Sequence, residues 1–347
     1  MDNVLPSELL RAFSELGFVT QSENMLPILQ QARKAACVSD ITVLLEGETG
    51  TGKQVLARAI HCLDEKRRRF PFLIVHCSAL SESLVESELF GHRRGAFSGA
   101  VADRQGLFQA AHQGTLLLDD VSDLPLAVQP KLLDAIQRGA IRAVGSDREV
   151  RVDVRIMATS NQPLCSLVTQ NRFRADLYHR INVVRLLVPP LRERRQDLPD
   201  LIMALARRHS MIYKPLDRVD AALIEFLVSQ PFHGNVRELD NAVQRMLFAK
   251  TAGTTLDLAD WRVQLAEPEL SANPDPLGEA ASVIWKVITQ NGVSYAHALR
   301  EIEKRILQAA LSIGGRTRRE VARNLHTSER TLYHKMRAYD LSRSSGP

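Results

Sequence analysis

Two short segments of the chain carry residues suited to phosphate chemistry. The first is a glycine-rich turn between an apolar run and a helical pattern, and it reads Gly47-Glu48-Thr49-Gly50-Thr51-Gly52-Lys53-Gln54. Backbone N–H groups of such a turn can surround phosphates, and its lysine can reach the terminal ones. The second is an apolar run that ends in two carboxylates, Asp119 and Asp120. Because ligands of open α/β sheets bind at the carboxyl ends of strands, the two segments predict one site for nucleotide phosphates.

The elements that must position these segments follow an alternating pattern. Five short apolar runs rich in β-branched residues alternate with helical patterns. The runs are Ile41 to Leu45, Phe72 to Val75, Thr115 to Leu118, Val152 to Ala158 and Val183 to Val188. This rhythm predicts the α/β class, with a parallel sheet covered by helices on both faces. From Leu198 to about Leu265 the pattern is wholly helical and predicts a separate lid.

Composition agrees with a globular protein of two or three domains. The chain has 347 residues, of which 45% are hydrophobic and 24% are charged. It contains no apolar stretch long enough to cross a bilayer, and its first residues lack the pattern of a signal peptide. We therefore expect a cytoplasmic protein without membrane contact.

The cysteines argue against a disulfide framework or a zinc ribbon. None of the four forms a Cys-x-x-Cys pair. A metal site built from His61-Cys62 and His76-Cys77 is an alternative, but the first pair lies in a helical pattern and the second ends a strand pattern. We expect reduced thiols that are buried in the core.

One aromatic residue stands among small ones between the two phosphate-site segments. This hexapeptide reads Gly95-Ala96-Phe97-Ser98-Gly99-Ala100. Its glycines and alanines bury little apolar area and lose much backbone entropy on ordering, so it cannot build a core. A surface hairpin tip with an isolated Phe97 is one interpretation. With the preceding Glu88-Leu89-Phe90-Gly91-His92, however, the segment closely resembles the sigma-54-contacting loop of bacterial enhancer-binding AAA+ ATPases, which usually have Thr in place of Ser98.

The resemblance implies that the phosphate site binds ATP and Mg²⁺. Gln54 stands where the general motif has Ser or Thr and where this family commonly has Glu. Asp119 would hold Mg²⁺ through water. Asp120 takes the place of the family's catalytic Glu and is one methylene shorter, which can slow hydrolysis or require an extra water. His76 replaces the family's usual Asn, and we hypothesise that it reaches the shorter Asp120.

Further matches to the family lie downstream. The resemblance implies that Asn161, at the end of a sensor strand, positions the attacking water or the γ-phosphate. Arg174 and Arg180 would act as arginine fingers on the ATP of a neighbouring subunit, which requires a ring, usually a hexamer. Exposed ion pairs are the alternative for these two arginines. In the lid, Arg237 of a second sensor would contact the phosphates.

Positive charge is concentrated near the C-terminus. Between Arg316 and Arg337 there are seven basic and two acidic residues, whereas the whole chain has a formal net charge of +5. A helical pattern opens with a capping box at Thr317, and a turn at Leu325 to Ser328 leads into a last helix. This spacing predicts a helix-turn-helix and resembles the Fis-type DNA-binding module. A three-helix interaction domain with a solvated basic face is the alternative.

The helical periods of this region assign faces. In the last helix Leu332 and Met336 share a buried face. In the helix that Gly314 ends, one apolar face is predicted with Leu299, Ile302, Ile306, Ala310 and Ile313. Arg330 and His334 would lie near base edges, with most of the remaining basic residues at phosphates. The candidate DNA contacts are Arg318, Arg319, Arg323, Arg330, His334, Lys335 and Arg337.

The segments define an order of domains. Residues 1–17 predict one short helix, too short for a sensory domain, which either meets a partner or packs on its own domain. Residues 18–190 are expected to form the AAA+ core with the sigma-54-contacting loop, and 191–265 the lid. A proline-rich linker is predicted at 266–282 and the DNA-binding module at 283–347.

The resulting hypothesis is a transcriptional activator that hydrolyses ATP in an oligomeric ring. It would bind double-stranded DNA at an upstream activator site and remodel sigma-54 RNA polymerase through Phe97 and Ser98. The ring would contain copies of this chain or include a paralogue. One alternative is a DNA-binding regulator with weak or absent ATPase activity, owing to Asp120 and His76, that uses ATP for assembly only. Another is an AAA+ remodeller of a different client, which the Phe97 loop argues against.

Overall fold

The computed structural model describes residues 5–78, 82–97, 99–210, 216–250, 252–265, 294–312, 318–339 and 341. The predicted linker 266–282 lies outside these residues. The chain divides into two compact units, Met1–Glu267 and Pro268–Pro347. Across the described ranges, no helix has the length and apolar character needed to cross a membrane.

A five-stranded parallel sheet forms the centre of the first unit. Up to residue 190 the strands are β1 Val43–Glu46, β2 Phe72–His76, β3 Gly91–His92, β4 Arg104–Gln105, β5 Thr115–Asp119, β6 Ala140–Arg142, β7 Glu149–Arg151, β8 Arg155–Ser160 and β9 Val184–Leu187. The sheet has the order β2-β5-β8-β1-β9, with every neighbouring pair parallel. All five predicted strands are confirmed, although the fourth begins at Arg155, three residues later than expected.

Helices cover the sheet and form the other domains. They are α1 Pro6–Glu15, α2 Leu26–Ala36, α3 Lys53–Leu63, α4 Glu82–Phe90, α5 Leu107–Ala110, α6 Gln129–Arg138, α7 Leu164–Thr169, α8 Ala175–Ile181, α9 Leu198–Ser210, α10 Ala221–Ser229, α11 Asn235–Ala249, α12 Leu258–Leu265, α13 Tyr295–Ser312, α14 Arg318–Asn324 and α15 Glu329–Ala338.

Alternation along the central strand β5 builds two cores. Leu116 and Leu118 pack on one face of the sheet, together with residues of α4 to α8. Leu117 packs on the other face, with residues of α1 to α3. Successive side chains of a strand point to opposite faces, so a fully buried strand requires helices on both sides. The predicted layer order is confirmed. Leu9 and Phe13 of α1 belong to the second core, so this helix packs on its own domain.

Within its described residues, the lid consists of helices and one short pair of strands. Helices α9 to α12 surround a core that includes Leu201, Leu223 and Leu239. Arg218–Val219 (β10) and Thr255–Leu256 (β11) pair in parallel, so the prediction of a wholly helical lid is wrong at these residues. Val219 and Leu256 gain burial in the lid core from this pairing.

The second unit contains α13, α14 and α15 around a small core that includes Leu307, Val321, Leu332 and Met336. The face of α15 is as predicted. The face of α13 is only partly as predicted, because Ala310 packs against this core, whereas Leu299 is 45% exposed and Ile306 is 52% exposed. The neighbouring position Leu307 enters the core.

The cysteines are free, as expected, but only partly buried. Cys77 is buried and Cys62 is half-buried, whereas Cys37 and Cys165 are exposed. The prediction of buried thiols is therefore wrong for those two, which lie at or near the surface ends of α2 and α7.

A buried ion pair supports the sheet at the end opposite the phosphate site. Arg155, the first residue of β8, donates from Nη1 to Asp64 Oδ2 at 2.6 Å, and both side chains are 0% exposed. Arg155 Nη2 also donates to Ala35 O at 2.7 Å. Burial lowers the pKa of Arg155, and the bond to Asp64 opposes this effect. Removing one partner would leave an uncompensated buried charge.

Substitution Asp64→Asn is expected to destabilise the first unit by about 3–5 kcal/mol, because Arg155 would lose its counter-charge in a buried place. Urea denaturation monitored by circular dichroism measures the change. Asp134→Asn is the control, since Asp134 pairs with Arg138 at the surface, where such pairs contribute about 0.5 kcal/mol. Similar losses in the two variants would contradict the importance of the buried pair.

Candidate functional site

A cleft of about 650 Å³ lies between the glycine-rich turn and the lid. The turn connects β1 to α3, and α3 begins at Lys53, so its helix N-terminus faces the cleft. Among the predicted site residues, those that line the cleft are Thr49, Gly50, Thr51, Gly52, Lys53, Gln54, Asp119, Asp120 and Arg237. One end of α1 and helix α9 complete the walls, with Gly17, Leu201 and Leu205. The structure thus joins the two phosphate-site segments and the second sensor.

Lys53 is held by the loop that it follows. Its Nζ donates to Gly47 O at 2.7 Å and to Glu48 O at 2.9 Å. Burial lowers the pKa of Lys53, whereas the nearby Asp120 and Asp119 carboxylates oppose this shift. A buried ammonium group beside backbone N–H groups is suited to an anionic phosphate.

Asp119 is fixed by three polar side chains. Its Oδ1 accepts from Thr159 Oγ1 at 2.7 Å, and its Oδ2 accepts from Gln54 Nε2 at 2.7 Å. His76 Nδ1 lies 2.9 Å from the same Oδ2. A carboxylate at a strand end beside a phosphate loop is the ligand type that Mg²⁺ takes when water and phosphate supply the rest, so the residues present fit this ion.

The expected contact of His76 with Asp120 is corrected by the structure, which places His76 on Asp119. The register explains the difference, because His76 is the direct neighbour of Asp119 in the adjacent parallel strand. Asp120 has left the strand and has left-handed backbone angles, with φ of 50° and ψ of 55°. Its N–H donates to Thr159 Oγ1 at 2.9 Å. One hydroxyl therefore holds both acidic residues.

Asp120 has an environment suited to a general base. Burial raises its pKa, the negative charge of Asp119 adds to this effect, and Lys53 opposes it. A carboxyl whose pKa is raised accepts a proton more readily near neutral pH. Asn161 follows β8 nearby, and its Oδ1 is 3.5 Å from Ser122 Oγ.

The Phe97 segment forms the tip of a hairpin in the connection between β2 and β5. Strands β3 and β4 pair in antiparallel fashion at its base, and His92 also bridges to Val144 of the neighbouring β6–β7 hairpin. The ring of Phe97 packs edge-on against that of His92 at 5.0 Å. His92 Nδ1 lies 2.6 Å from Ser87 Oγ of α4. Phe97 is half-buried, and Ser98 lies outside the described residues.

Comparisons with known proteins agree with this geometry. The model of the sigma-54 interaction domain matches residues 18–187, and that of the AAA+ ATPase lid domain matches residues 192–276. Regulatory protein AtoC of Escherichia coli is 36% identical over 327 residues, which are 93% of this chain and 68% of AtoC. Response regulator protein PilR of Pseudomonas aeruginosa is 40% identical over 318 residues, which are 91% of this chain and 68% of PilR. The chain belongs to the family of sigma-54-dependent transcriptional activators.

Solved structures show the same fold. The crystal structure of NtrX from Brucella abortus in complex with ATP has a TM-score of 0.65 and 27% identity, and the match covers 96% of this chain and 72% of NtrX. The NtrX structure in complex with ADP has a TM-score of 0.64 and 25% identity.

The two candidate arginine fingers of this sigma-54 activator family member do not line the cleft. Arg174 forms a bidentate pair with Asp176, with Nε–Oδ1 at 3.1 Å and Nη2–Oδ2 at 2.8 Å. Arg180 Nη2 donates to Ile136 O at 3.3 Å. Both side chains are exposed on α8 or at its start, so neither reaches the cleft of its own subunit.

The basic residues of the second unit differ in their contacts. Arg330, His334 and Arg337 are exposed on the face of α15 opposite the core. Lys335 instead forms an ion pair with Glu303 of α13, and this contact lowers the pKa of Glu303. Arg319 Nε lies 3.6 Å from a Glu329 oxygen, and Arg323 is exposed. Only the backbone of Arg318 is described, at the start of α14.

Sequence reasoning missed several residues that shape the site. Thr159 had no signal, because its role depends on the neighbouring strand. Asn235 lies in the second-sensor segment, where only Arg237 was assigned. Arg192 pairs with Glu48 at 2.7 and 2.8 Å, and this pair lowers the pKa of Glu48 to about 2. Arg194 is buried against Thr51.

Substitution Gly50→Ala is expected to weaken nucleotide binding by about tenfold or more, because the added methyl group would strain the loop. A loss of about 1.4 kcal/mol in binding free energy corresponds to a tenfold weaker affinity. Gly50 has φ of +79°, and a Cβ there would lie 2.3 Å from Gly234 O of the lid. Titration with a fluorescent ATP analogue measures the affinity. Gly253→Ala is the matched control, because Gly253 has φ of +78° with nothing within 4 Å. If both variants bound equally weakly, close approach would not be the cause.

Proposed function

We propose that this chain is an ATP-hydrolysing transcriptional activator that remodels sigma-54 RNA polymerase. One observation carries the proposal. The connection that bears Phe97 leaves the sheet at His76, whose side chain meets Asp119 of the phosphate site at 2.9 Å. A change at Asp119 during the ATP cycle can therefore act on the start of the connection. Phe97 would pack on the sigma factor and Ser98 would supply a hydroxyl.

The cleft residues divide the work of hydrolysis. Lys53 and the loop N–H groups bind the phosphates, and Arg237 adds positive charge from the lid. Asp120 accepts a proton from the attacking water, which Asn161 orients. Asp119 would hold Mg²⁺, which neutralises phosphate charge when bound. The ATP and ADP complexes of NtrX support a nucleotide in this cleft.

A ring supplies the groups that one subunit lacks. Because Arg174 and Arg180 are exposed and outside their own cleft, they are available to the cleft of a neighbour. A positive charge placed there stabilises the transition state of phosphoryl transfer. We infer a hexamer of this chain or a mixed ring with a paralogue.

The second unit would bind double-stranded DNA upstream of the promoter. Ser328 caps α15 by accepting from Thr331 N at 3.1 Å, which fixes the start of the helix that would enter the major groove. Arg330 and His334 would face base edges, and the remaining exposed arginines would face phosphates.

A second function is favoured by the hydrogen bonds of Asp119. Its Oδ2 already meets both Gln54 and His76, so metal binding would have to compete with these contacts. In that case the chain would be a DNA-binding regulator that uses ATP for assembly only. Steady-state ATPase rates separate the two functions, since equal and negligible rates in wild type and Asp120→Ala would favour the regulator.

Transcription from a sigma-54 promoter in a purified system tests the main proposal. We expect open complexes with ATP and none with a non-hydrolysable analogue, because closed-complex remodelling requires hydrolysis. Phe97→Ala should abolish activation while retaining ATPase activity, since the Phe97 side chain would contact the sigma factor and lies outside the cleft. Phe248→Ala, at an exposed position of the lid, is the control. Activation by the analogue alone would contradict the proposal.

DNA affinity should depend on Arg330 more than on Lys335. Arg330→Ala is expected to weaken binding by about 1–3 kcal/mol, as for loss of a base contact. Lys335→Ala should cost less, because Lys335 is engaged by Glu303. Fluorescence anisotropy with DNA selected by the wild-type protein gives both values. A larger loss in Lys335→Ala would rule out this order of contacts.

A further inference from the structure

The carbonyl oxygens of the phosphate loop accept from Lys53, from Thr51 and from the lid. Gly47 O and Glu48 O accept from Lys53 Nζ, and Glu48 O also accepts from Thr51 Oγ1 at 2.9 Å. The next three oxygens accept from the lid and from the segment that leads into it. They are Thr49 O, 3.0 Å from Asn235 Nδ2, Gly50 O, 3.0 Å from Val236 N, and Thr51 O, 2.6 Å from Arg194 Nη2. The loop can offer its N–H groups to phosphate because its carbonyl groups are satisfied elsewhere.

The Arg194 side chain is held in place where its Nη2 meets Thr51 O. Its side chain is 1% exposed, its Nη1 is 3.6 Å from Asp197 Oδ2, and its guanidinium lies over the ring of Phe18 at 5.8 Å. Its Nε has no hydrogen-bond partner among the described residues. Because a buried charged donor is costly to leave unpaired, loss of the bond from Nη2 to Thr51 O would be strongly unfavourable.

Asp197 links Arg194 to the segment Thr20 to Ser22, which follows α1. Its Oδ1 accepts from Gln21 N at 2.7 Å and from Ser22 N at 2.9 Å, and its Oδ2 accepts from Thr20 Oγ1 at 2.7 Å. The segment at Thr20 borders the cleft through Val19. The wall of the cleft, the lid connection and the phosphate loop are therefore linked by Arg194 and Asp197.

Asn235 makes the second link. It is buried with φ of +57°, a conformation that Asn tolerates better than most residues. Its Oδ1 accepts from Leu191 N at 2.8 Å, while its Nδ2 donates to Thr49 O and lies 3.2 Å from Glu48 Oε2. Val236 N belongs to the first turn of α11, where N–H groups lack intrahelical acceptors, and it uses Gly50 O instead.

We propose that Arg194 and Asn235 are positioning residues that hold the phosphate loop in its nucleotide-binding conformation and make that conformation depend on the position of the lid. This inference rests on the proposed function. It adds the contacts through which the lid would respond to the bound nucleotide. A lid that moves away must break the bonds to Thr49, Gly50 and Thr51, and bound phosphate must strengthen them. Nucleotide binding and lid closure are thus coupled through the loop backbone.

Two substitutions with matched controls test the proposal. Asn235→Gly keeps the positive φ and removes only the side-chain bonds, and its control is Asn171→Gly, an exposed site with φ of 56°. Arg194→Lys keeps the charge but removes the guanidinium group that reaches Thr51 O. Its control is Arg155→Lys, because Arg155 is also buried against a carboxylate and a backbone carbonyl group. Each variant is titrated with a fluorescent non-hydrolysable ATP analogue. Hydrogen exchange at Val236 is followed with and without the analogue.

We expect the analogue to slow exchange at Val236 in the wild type and in both controls. Asn235→Gly and Arg194→Lys should bind the analogue about tenfold more weakly or worse and lose the slowing, because each loses its buried hydrogen bonds to the loop carbonyl groups. Wild-type affinity and slowing in Asn235→Gly would overturn the proposal. So would equal losses in the controls, which would indicate general destabilisation. Absence of ATPase activity in the wild type would contradict only the proposed function, since the analogue is not hydrolysed.

Discussion

A loop that binds an anion through its N–H groups must direct its carbonyl groups away from the anion, and buried carbonyl groups need donors. The rest of this structure depends on how that requirement is met. Lys53 supplies donors at the start of the loop, whereas Asn235, Val236 and Arg194 supply them at the following three oxygens. The lid is therefore part of the phosphate site and not a separate cover. This explains why Gly50 approaches the lid so closely that a side chain cannot fit.

The sheet register links the phosphate site to the connection that carries Phe97. Parallel pairing of β2 with β5 puts His76, where this connection begins, beside Asp119 at the end of β5. That connection also contacts the β6–β7 hairpin, since Arg93 N donates to Val144 O at 3.0 Å. Movement of the Phe97 tip must therefore involve a second hairpin. Strand pairing thus links the start of the Phe97 connection to the phosphate site, and hairpin packing links the same connection to β6–β7.

Much of this arrangement could be predicted from local sequence. The five strands, the glycine-rich turn and the carboxylates at Asp119 and Asp120 follow from periodicity and spacing within a few residues. The partner of His76 could not, because it depends on register between two strands. Arg194 gave no local signal, since its acceptor is 143 residues away in sequence. The face of α13 could be predicted only in part, because Leu299 and Leu307 fit helical periods equally well and only packing against α14 and α15 decides between them.

The short side chain of Asp120 has a structural counterpart in its backbone. A residue that continued along β5 would point to one of the two cores, whereas the left-handed conformation of Asp120 turns its carboxyl toward Lys53. Thr159 holds this turn by accepting from Asp120 N while donating to Asp119 Oδ1. The position of the Asp120 carboxyl is then set by the backbone and by one hydroxyl, and side-chain length is only one contribution to its reach. His76 contacts Asp119, which shares the hydroxyl of Thr159 with Asp120, so a change at His76 would reach Asp120 through these two residues.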